Sequence, residues 1–325
     1  MKKIIGMGNA LTDILLLIDD DSVLTQLNLP KGSMQLVDKE KSAEIYEFVS
    51  RFGSKMVAGG SASNTMRGIA RLGVESGFVG KIGKDEIGEF YKKDMLQNGV
   101  YPRLLETETL SGRCVVLVSP DGERTMCTYL GAASELISED LSADLFNGYD
   151  IFHIEGYLVQ NNELIRKAVK LAKESGLKVS IDMASYNVVE GNLEFLKEIV
   201  RDYVDIVFAN EEEARAFTGK EPYEALIHIS DYADVAVVKV GKEGSMVKSG
   251  SEVVRATPRL SNCVDTTGAG DLYATGFLYG MAGGLALETC AKIASLVSGH
   301  VVEVVGTKLS DETWEKINAE IAKMS

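Results

Sequence analysis

With 325 residues, 45% of them apolar and 25% charged, the chain has the make-up of an ordinary soluble protein and the length for one large α/β core or two smaller ones. Its net charge of −14 argues against nucleic acid and anionic membranes as partners, since both call for basic surface. No run of 18 apolar residues offers a membrane span, and Asn9 and Asp13 arrive too early for a secretory signal, so a cytoplasmic protein is expected.

Residues 2–7 read as a first strand, followed by Gly6-Met7-Gly8-Asn9 and then Asp13. Asn9 and Asp13 thus lie just past a strand's C-terminal end, where open α/β sheets place ligands. Residues 11–18 and 33–37 look like strands with no helix between them, and 39–51 is a helical pattern. Gly59-Gly60 turns the chain into a helix over 61–72, with Ser61 as its cap. A strand at 76–79 and a helix at 87–97 follow. Residues 112–119 and 123–129 predict an antiparallel hairpin about Pro120-Asp121-Gly122. Cys114 and Cys127 fall on its two arms and could face each other, but a reducing compartment favours two small buried thiols. Cys263 and Cys290 complete a set with no metal-binding spacing. Strands at 151–154, 178–181, 206–209 and 235–240 then alternate with helices at 162–174 and 193–202. The last third reads as helices over 270–281, 286–301 and 311–323. This alternation predicts a mostly parallel sheet covered on both faces, a three-layer α/β/α arrangement. The strands that break it would form a small second sheet.

A strand at 252–256 leads into Asp265-Thr266-Thr267-Gly268-Ala269-Gly270-Asp271. A glycine-rich turn opening a helix presents free backbone N–H groups and the positive end of a dipole, which is an anion site. Asp271, in the helix's first turn, is placed to take a proton from a nucleophile that attacks a phosphate. Taken alone, Gly-Ala-Gly-Asp is an ordinary helix start. The second motif is Ala58-Gly59-Gly60-Ser61-Ala62-Ser63-Asn64, and the two together resemble the C- and N-terminal signatures of the ribokinase-like (PfkB) family of sugar and nucleoside kinases. There is no Walker loop, His-Glu-x-x-His, Gly-x-Ser-x-Gly or Cys-x-x-Cys.

The resemblance implies a ribokinase-like fold in one domain over 1–325, with a β-sheet lid drawn from about 11–38 and 100–130. It implies an ATP-dependent kinase using Mg²⁺ and, in many members, K⁺. Asp271 would be the base and the amides of Gly268, Ala269 and Gly270 the anion hole. Asn210 and Glu213 match the family's Asn-x-x-Glu, with Glu213 acting on Mg²⁺ through water. By spacing alone the same residues make a capped helix. Thr266, Lys239, Gly241 and Gly244 would border the nucleotide. Asp265, Thr267 and Ser298 would supply a monovalent-cation site. Gly59, Gly60 and Asn64 fall on the acceptor side with Asn9 and Asp13. The start Gly6-x-Gly8-Asn9-x-x-x-Asp13, with Gln35 near the base and Tyr157 against it, narrows the resemblance to the adenosine kinases. The expected partner is a small nucleoside or sugar, and the expected assembly a monomer or homodimer. The alternative acceptors are ribose, fructose or a sugar acid. A binding regulator on the same fold would have no use for Asp271, and a dinucleotide oxidoreductase would need Gly-x-Gly-x-x-Gly after the first strand.

Overall fold

The computed structural model describes residues 1–324; Ser325 lies outside the described residues. In chain order the strands are β1 (Ile4–Met7), β2 (Leu11–Leu17), β3 (Met34–Leu36), β4 (Lys55–Ala58), β5 (Ser76–Gly83), β6 (Val100–Thr107), β7 (Gly112–Val118), β8 (Arg124–Tyr129), β9 (Ile151–Glu155), β10 (Lys178–Asp182), β11 (Ile206–Asn210), β12 (Val235–Lys239), β13 (Ser245–Ser249) and β14 (Glu252–Ala256). They form a nine-stranded sheet in the order β14-β13-β12-β11-β10-β9-β1-β5-β6 and a five-stranded sheet in the order β3-β8-β7-β2-β4.

In the larger sheet all neighbours from β6 to β12 are parallel, and β13 and β14 return antiparallel. The central parallel strands β1 and β9 to β12 are rich in Ile, Val and Phe because both of their faces are buried. On one face Phe152, Val179 and Val207 pack with Ile165 and Val169 of helix Asn162–Glu174 and Ile199 of helix Leu193–Tyr203. On the other, Ile4, Phe208 and Val237 pack with Met66 of helix Ser61–Arg71, Phe277 of helix Ala269–Ala282 and Ala294 of helix Leu287–Val301. The three-layer expectation holds. After β1 the chain builds outward through β5 and β6, then reverses and builds the other way from β9. The strand order therefore switches at β1, so its C-terminal end, at Gly8 and Asn9, opens onto the crevice where such sheets bind ligands. Among the described residues no helix is long and apolar enough to cross a membrane.

The smaller sheet contains the expected hairpin, β7 with β8 antiparallel. Its membership differs from the expected segments in two ways. Residues 100–107 are not part of it: β6 pairs in parallel with β5 and forms the edge of the large sheet. β4 joins it instead, antiparallel to β2. Cys114 and Cys127 do not face each other. Cys114 is opposite Thr128 and Cys127 opposite Val115, so the two thiols point to opposite faces. All four cysteines are free, three of them buried.

The smaller sheet's two faces differ in kind. Ile14, Leu16, Val115, Leu117 and Cys127 pack against Ile45 and Val49 of helix Lys39–Ser50. The other face carries Asp13, Leu15 and Leu17, in register with Cys114, Val116 and Val118. Met126 and Arg124 continue it on β8, and Met34 and Leu36 on β3.

Candidate active site

The four neighbouring parallel strands β9 to β12 each end on a polar residue: Glu155, Asp182, Asn210 and Lys239. Helix Ala269–Ala282 points its N-terminus at the same edge, with Asp271 in its first turn. Gly268 caps that helix with φ 74°, a left-handed conformation that glycine adopts without strain. The Ala269 amide closes a turn onto the Thr266 carbonyl at 3.1 Å. Among the described residues no such bond engages the amides of Gly268 and Gly270, which leaves two donors of the expected anion hole open.

Asp271 is held from helix Ser61–Arg71. Ser61 Oγ donates to its Oδ1 at 2.7 Å and Asn64 Nδ2 to its Oδ2 at 2.8 Å. Ser61 is therefore not the helix cap; Gly60 is, at φ 91°, and the hydroxyl is spent on the carboxylate. Burial pushes the Asp271 carboxyl up to about 6, against the pull of these two donors.

Asp13 looks into the same crevice. Gly59 abuts it so closely that a Cβ there would stand 2.4 Å from Oδ2, so a side chain at 59 would displace the carboxylate. Burial pushes Asp13 up to about 7, with Arg67 and Arg124 pulling it down and Asp271 pushing it up, so the two acids share one field. Asn9 is buried and one hydrogen of its side-chain amide is engaged: Nδ2 donates to Glu155 Oε1 at 2.6 Å, as its backbone N–H does at 3.1 Å. Glu155 is a partner that sequence reasoning missed. Tyr157 is 40% exposed and its hydroxyl donates to the Ala184 carbonyl at 3.4 Å, near Glu155, Asp271 and Asp182. Gln35 is not brought to the crevice. It is in register with Cys127, on the helix-covered face, while its neighbours Met34 and Leu36 share the face of Asp13.

On the other side of Asp271, Lys239 Nζ pairs with Asp182 Oδ2 at 2.8 Å. Burial would lower the Lys239 pKa, but Asp182 and Glu213 outweigh it and raise it. A Cβ on Gly270 would stand 3.1 Å from this ammonium, so the lysine lies beside the open turn. Glu213 is 3% exposed. Its oxygens accept from the Asn210 backbone and side-chain amides, each at 2.7 Å, a reciprocal cap. Burial raises its pKa; Lys239 lowers it and Asp182 raises it further. Gly241 and Gly244 flank a short turn after β12. Thr266 is exposed.

Arg124 arrives from β8 and closes the crevice. Its guanidinium bonds Asp265 Oδ2 at 2.6 Å and Thr267 Oγ1 at 2.8 Å. Asp265 also accepts from the Thr267 backbone and hydroxyl and from Gly306 N, and these bonds hold its pKa down despite burial. Ser298 Oγ donates to the Ala269 carbonyl at 3.0 Å. Neither Asp182 nor Arg124 was singled out in the sequence. An acid closing an apolar strand would have pointed to the first; nothing local marks the second.

The pfkB family carbohydrate kinase profile matches residues 38–314. The chain is similar to a solved adenosine kinase of Sinorhizobium meliloti, 34% identical, covering 100% of this chain and 99% of that one at a TM-score of 0.85. A solved probable sugar kinase of Rhizobium etli is 32% identical, covering 100% and 99%, at a TM-score of 0.86. A 5-dehydro-2-deoxygluconokinase of Bacillus subtilis is 29% identical, covering 82% of this chain and 87% of its own length. The chain belongs to the pfkB carbohydrate kinase family, and is an ATP-dependent kinase that phosphorylates an alcohol.

Proposed function

We propose that the acceptor is a ribosyl nucleoside, adenosine-like, phosphorylated on its primary hydroxyl with Asp271 as the base. The observation that carries this reading is the crevice face of the smaller sheet. Leu17, Met34 and Leu36 share that face with Asp13 and are 75%, 71% and 75% exposed. A bare apolar wall beside a sugar-binding carboxylate calls for a ligand with an apolar, planar end. The similarity to the Sinorhizobium meliloti adenosine kinase supports it. A free sugar such as ribose, fructose or a sugar acid would use the same chemistry and leave the wall uncovered.

In this reading the chain works as one domain, with the smaller sheet as a lid. Asp13 accepts the ribose hydroxyls; Asn9 offers its carbonyl oxygen and its second amide hydrogen, the first being held by Glu155. Asp271 accepts the proton of the attacking hydroxyl. The amides of Gly268 and Gly270 receive the transferred phosphoryl, with the Lys239 ammonium beside them.

Mg²⁺ fits this edge of the sheet. Asp182 raises the carboxyls of both Glu213 and Asp271, and all three acids act on the one ammonium of Lys239, which leaves excess negative charge. Among the described residues no three His, Cys, Asp or Glu side chains converge to hold a metal alone. Glu213 and Asp182 would hold Mg²⁺ through water, and when bound it would neutralise phosphate charge. K⁺ would sit among Thr267, Ser298 and nearby carbonyls, with Asp265 already bonded to Arg124.

The test is kcat/KM for adenosine, inosine, ribose, fructose and a sugar acid with ATP and Mg²⁺, with K⁺ exchanged for Na⁺ at constant ionic strength. At least about tenfold preference for adenosine over each sugar is expected. A preference for any sugar discards the nucleoside and keeps the kinase.

A further inference from the structure

Arg67 follows Asn64 by one helical turn and is buried, 7% exposed. Its Nη2 donates to Asn64 Oδ1. Thr307 Oγ1 lies 3.2 Å from the same oxygen. The other end of that amide, Nδ2, donates to Asp271 Oδ2. On its far side Arg67 Nη1 stands 3.5 Å from Asp94 Oδ2 on helix Glu86–Gln97. Asp94, 5% exposed, also receives Asn98 Nδ2 at 3.2 Å and faces Lys308 Nζ at 3.8 Å. A buried chain of contacts thus runs from Asp94 through Arg67 and Asn64 to Asp271.

An asparagine amide has an accepting end and a donating end. Reversed, Asn64 would press its oxygen against the Asp271 carboxylate and its NH₂ against the guanidinium. Thr307 tolerates either orientation, because a hydroxyl both donates and accepts. Arginine only donates and never loses its charge, so Arg67 admits one orientation. We infer that Arg67 is a positioning residue for phosphoryl transfer, fixing Asn64 with its NH₂ on Asp271 and so holding the carboxylate toward the acceptor hydroxyl. This rests on reading Asp271 as the base. Arg67 also acts on Asp13: burial raises that carboxyl, and Arg67 is the strongest influence pulling it back. Asp94, Asp13 and Tyr91 are titratable groups that face Arg67, Lys308 faces Asp94 from the other side, and Asp13 is faced in turn by Asp271 and Arg124.

The test compares Arg67→Met, Arg67→Lys, Asn64→Ala and the Arg67→Met/Asn64→Ala double variant, measuring kcat, KM for ATP and adenosine, and thermal unfolding, from about pH 5.5 to about 8.5. Arg67→Met is expected to lower kcat about tenfold or more, with KM for ATP within about threefold. Arg67→Lys, still a pure donor, should recover most of the loss. In the Asn64→Ala background Arg67→Met should cost less than about twofold more, because its effect passes through Asn64. The acid limb of kcat/KM should move to higher pH as Asp13 loses its counter-charge. A kcat for Arg67→Met within about threefold of wild type, or its full loss repeated without Asn64, overturns the inference. Should Arg67→Met fail to fold with Asp94 left unpaired, Arg67→Gln with Asp94→Asn removes both charges and is held to the same thresholds, since glutamine accepts either amide orientation. An active Asp271→Asn would sink the base itself; an inactive Asp271→Asn beside an active Arg67→Met sinks only the positioning role.

Discussion

Arg124 Nη2 stands 2.6 Å from Asp265 Oδ2, joining the first residue of β8 in the smaller sheet to the loop that opens helix Ala269–Ala282. The two side chains are only 18% and 9% exposed, and a second bond runs to Thr267 Oγ1. A charged, two-headed contact of this kind is worth more than a surface pair. Arg124→Ala should release the sheet from the loop and withdraw a positive charge from the phosphoryl path. A fall of about 10- to 100-fold in kcat/KM for ATP is expected, with faster amide exchange in β7 and β8. Unchanged exchange in those strands would show that the pair does not hold the sheet.

Asp271→Asn should lower kcat by about 10²- to 10⁴-fold while ATP affinity stays within about threefold. Wild-type kcat should fall on the acid side with a midpoint near the value to which burial raises Asp271, about 6. The base works only when ionised, so activity rises through that pH and then levels. Stopped-assay rates that stay flat down to about pH 5 would remove Asp271 from the proton transfer.

Much of this arrangement was legible in the chain. The apolar runs of β1, β9, β10, β11 and β12 are long and regular, and the Gly268 turn with Asp271 is local, so both motifs could be placed. What was hidden depends on pairing across the sequence. Gln35 looked like a crevice residue, but β3 has three residues and its face is set by its register with β8. The sequence that follows β6 belongs to the smaller sheet, and only the pairing of β6 with β5 assigns it to the large one. Asn9 reads as an acceptor-side residue, and only the fold shows that Glu155, 146 residues away, takes one of its amide hydrogens. Lys239 reads as a residue bordering the nucleotide, and its buried pairing with Asp182, two strands away at the end of β10, is set by the strand order and not by local sequence.

Buried acids also shape stability. Glu155 is 2% exposed, and burial pushes its carboxyl from the ordinary 4.5 up to about 7 against the donors of Asn9 and Ala62. A carboxyl raised in the folded state binds its proton more tightly there than in the unfolded chain. Folding stability is therefore lost as pH rises from about 4.5 to about 7, by on the order of 3 kcal/mol for this group. Asp13 and Asp271, raised to about 7 and about 6, act in the same direction. Urea unfolding across this range should show stability declining toward neutrality, and Glu155→Gln should flatten the slope whatever it does to the absolute value. An unaltered slope would mean that Glu155 is ionised throughout.

Two glycines of the turn should respond differently to added bulk. At Gly268 a side chain meets both an unfavourable φ of 74° and Thr307 Cγ2, 2.5 Å from the Cβ position. At Gly270 the near atom is the end of a flexible lysine, 3.1 Å away. Gly268→Val should cost about 100-fold or more in kcat, and Gly270→Ala about tenfold or less. Equal losses would show that the backbone angle at Gly268 does not matter to the anion site. Calorimetric acceptor affinity should hold in both variants if the damage is confined to phosphoryl transfer.

The exposed wall of the smaller sheet separates nucleoside from sugar without touching the chemistry. Met34 and Leu36 lie in register with Met126 and Thr128, on the face of Asp13 and Arg124. If that wall covers a base, Leu36→Ser and Met34→Ser should each weaken adenosine by about 1–2 kcal/mol of lost apolar contact, roughly a 5- to 30-fold rise in KM. Free ribose never reaches the wall, so its kcat/KM should stay within about twofold. Neither side chain is buried in the fold, 71% and 75% exposed, so thermal unfolding should barely move. The ratio of adenosine to ribose kcat/KM in wild type and the two variants is the measurement. If both acceptors lose equally, the wall serves closure of the smaller sheet rather than recognition of a base; if neither loses, the acceptor's apolar end lies elsewhere, and Tyr157 becomes the residue to substitute next.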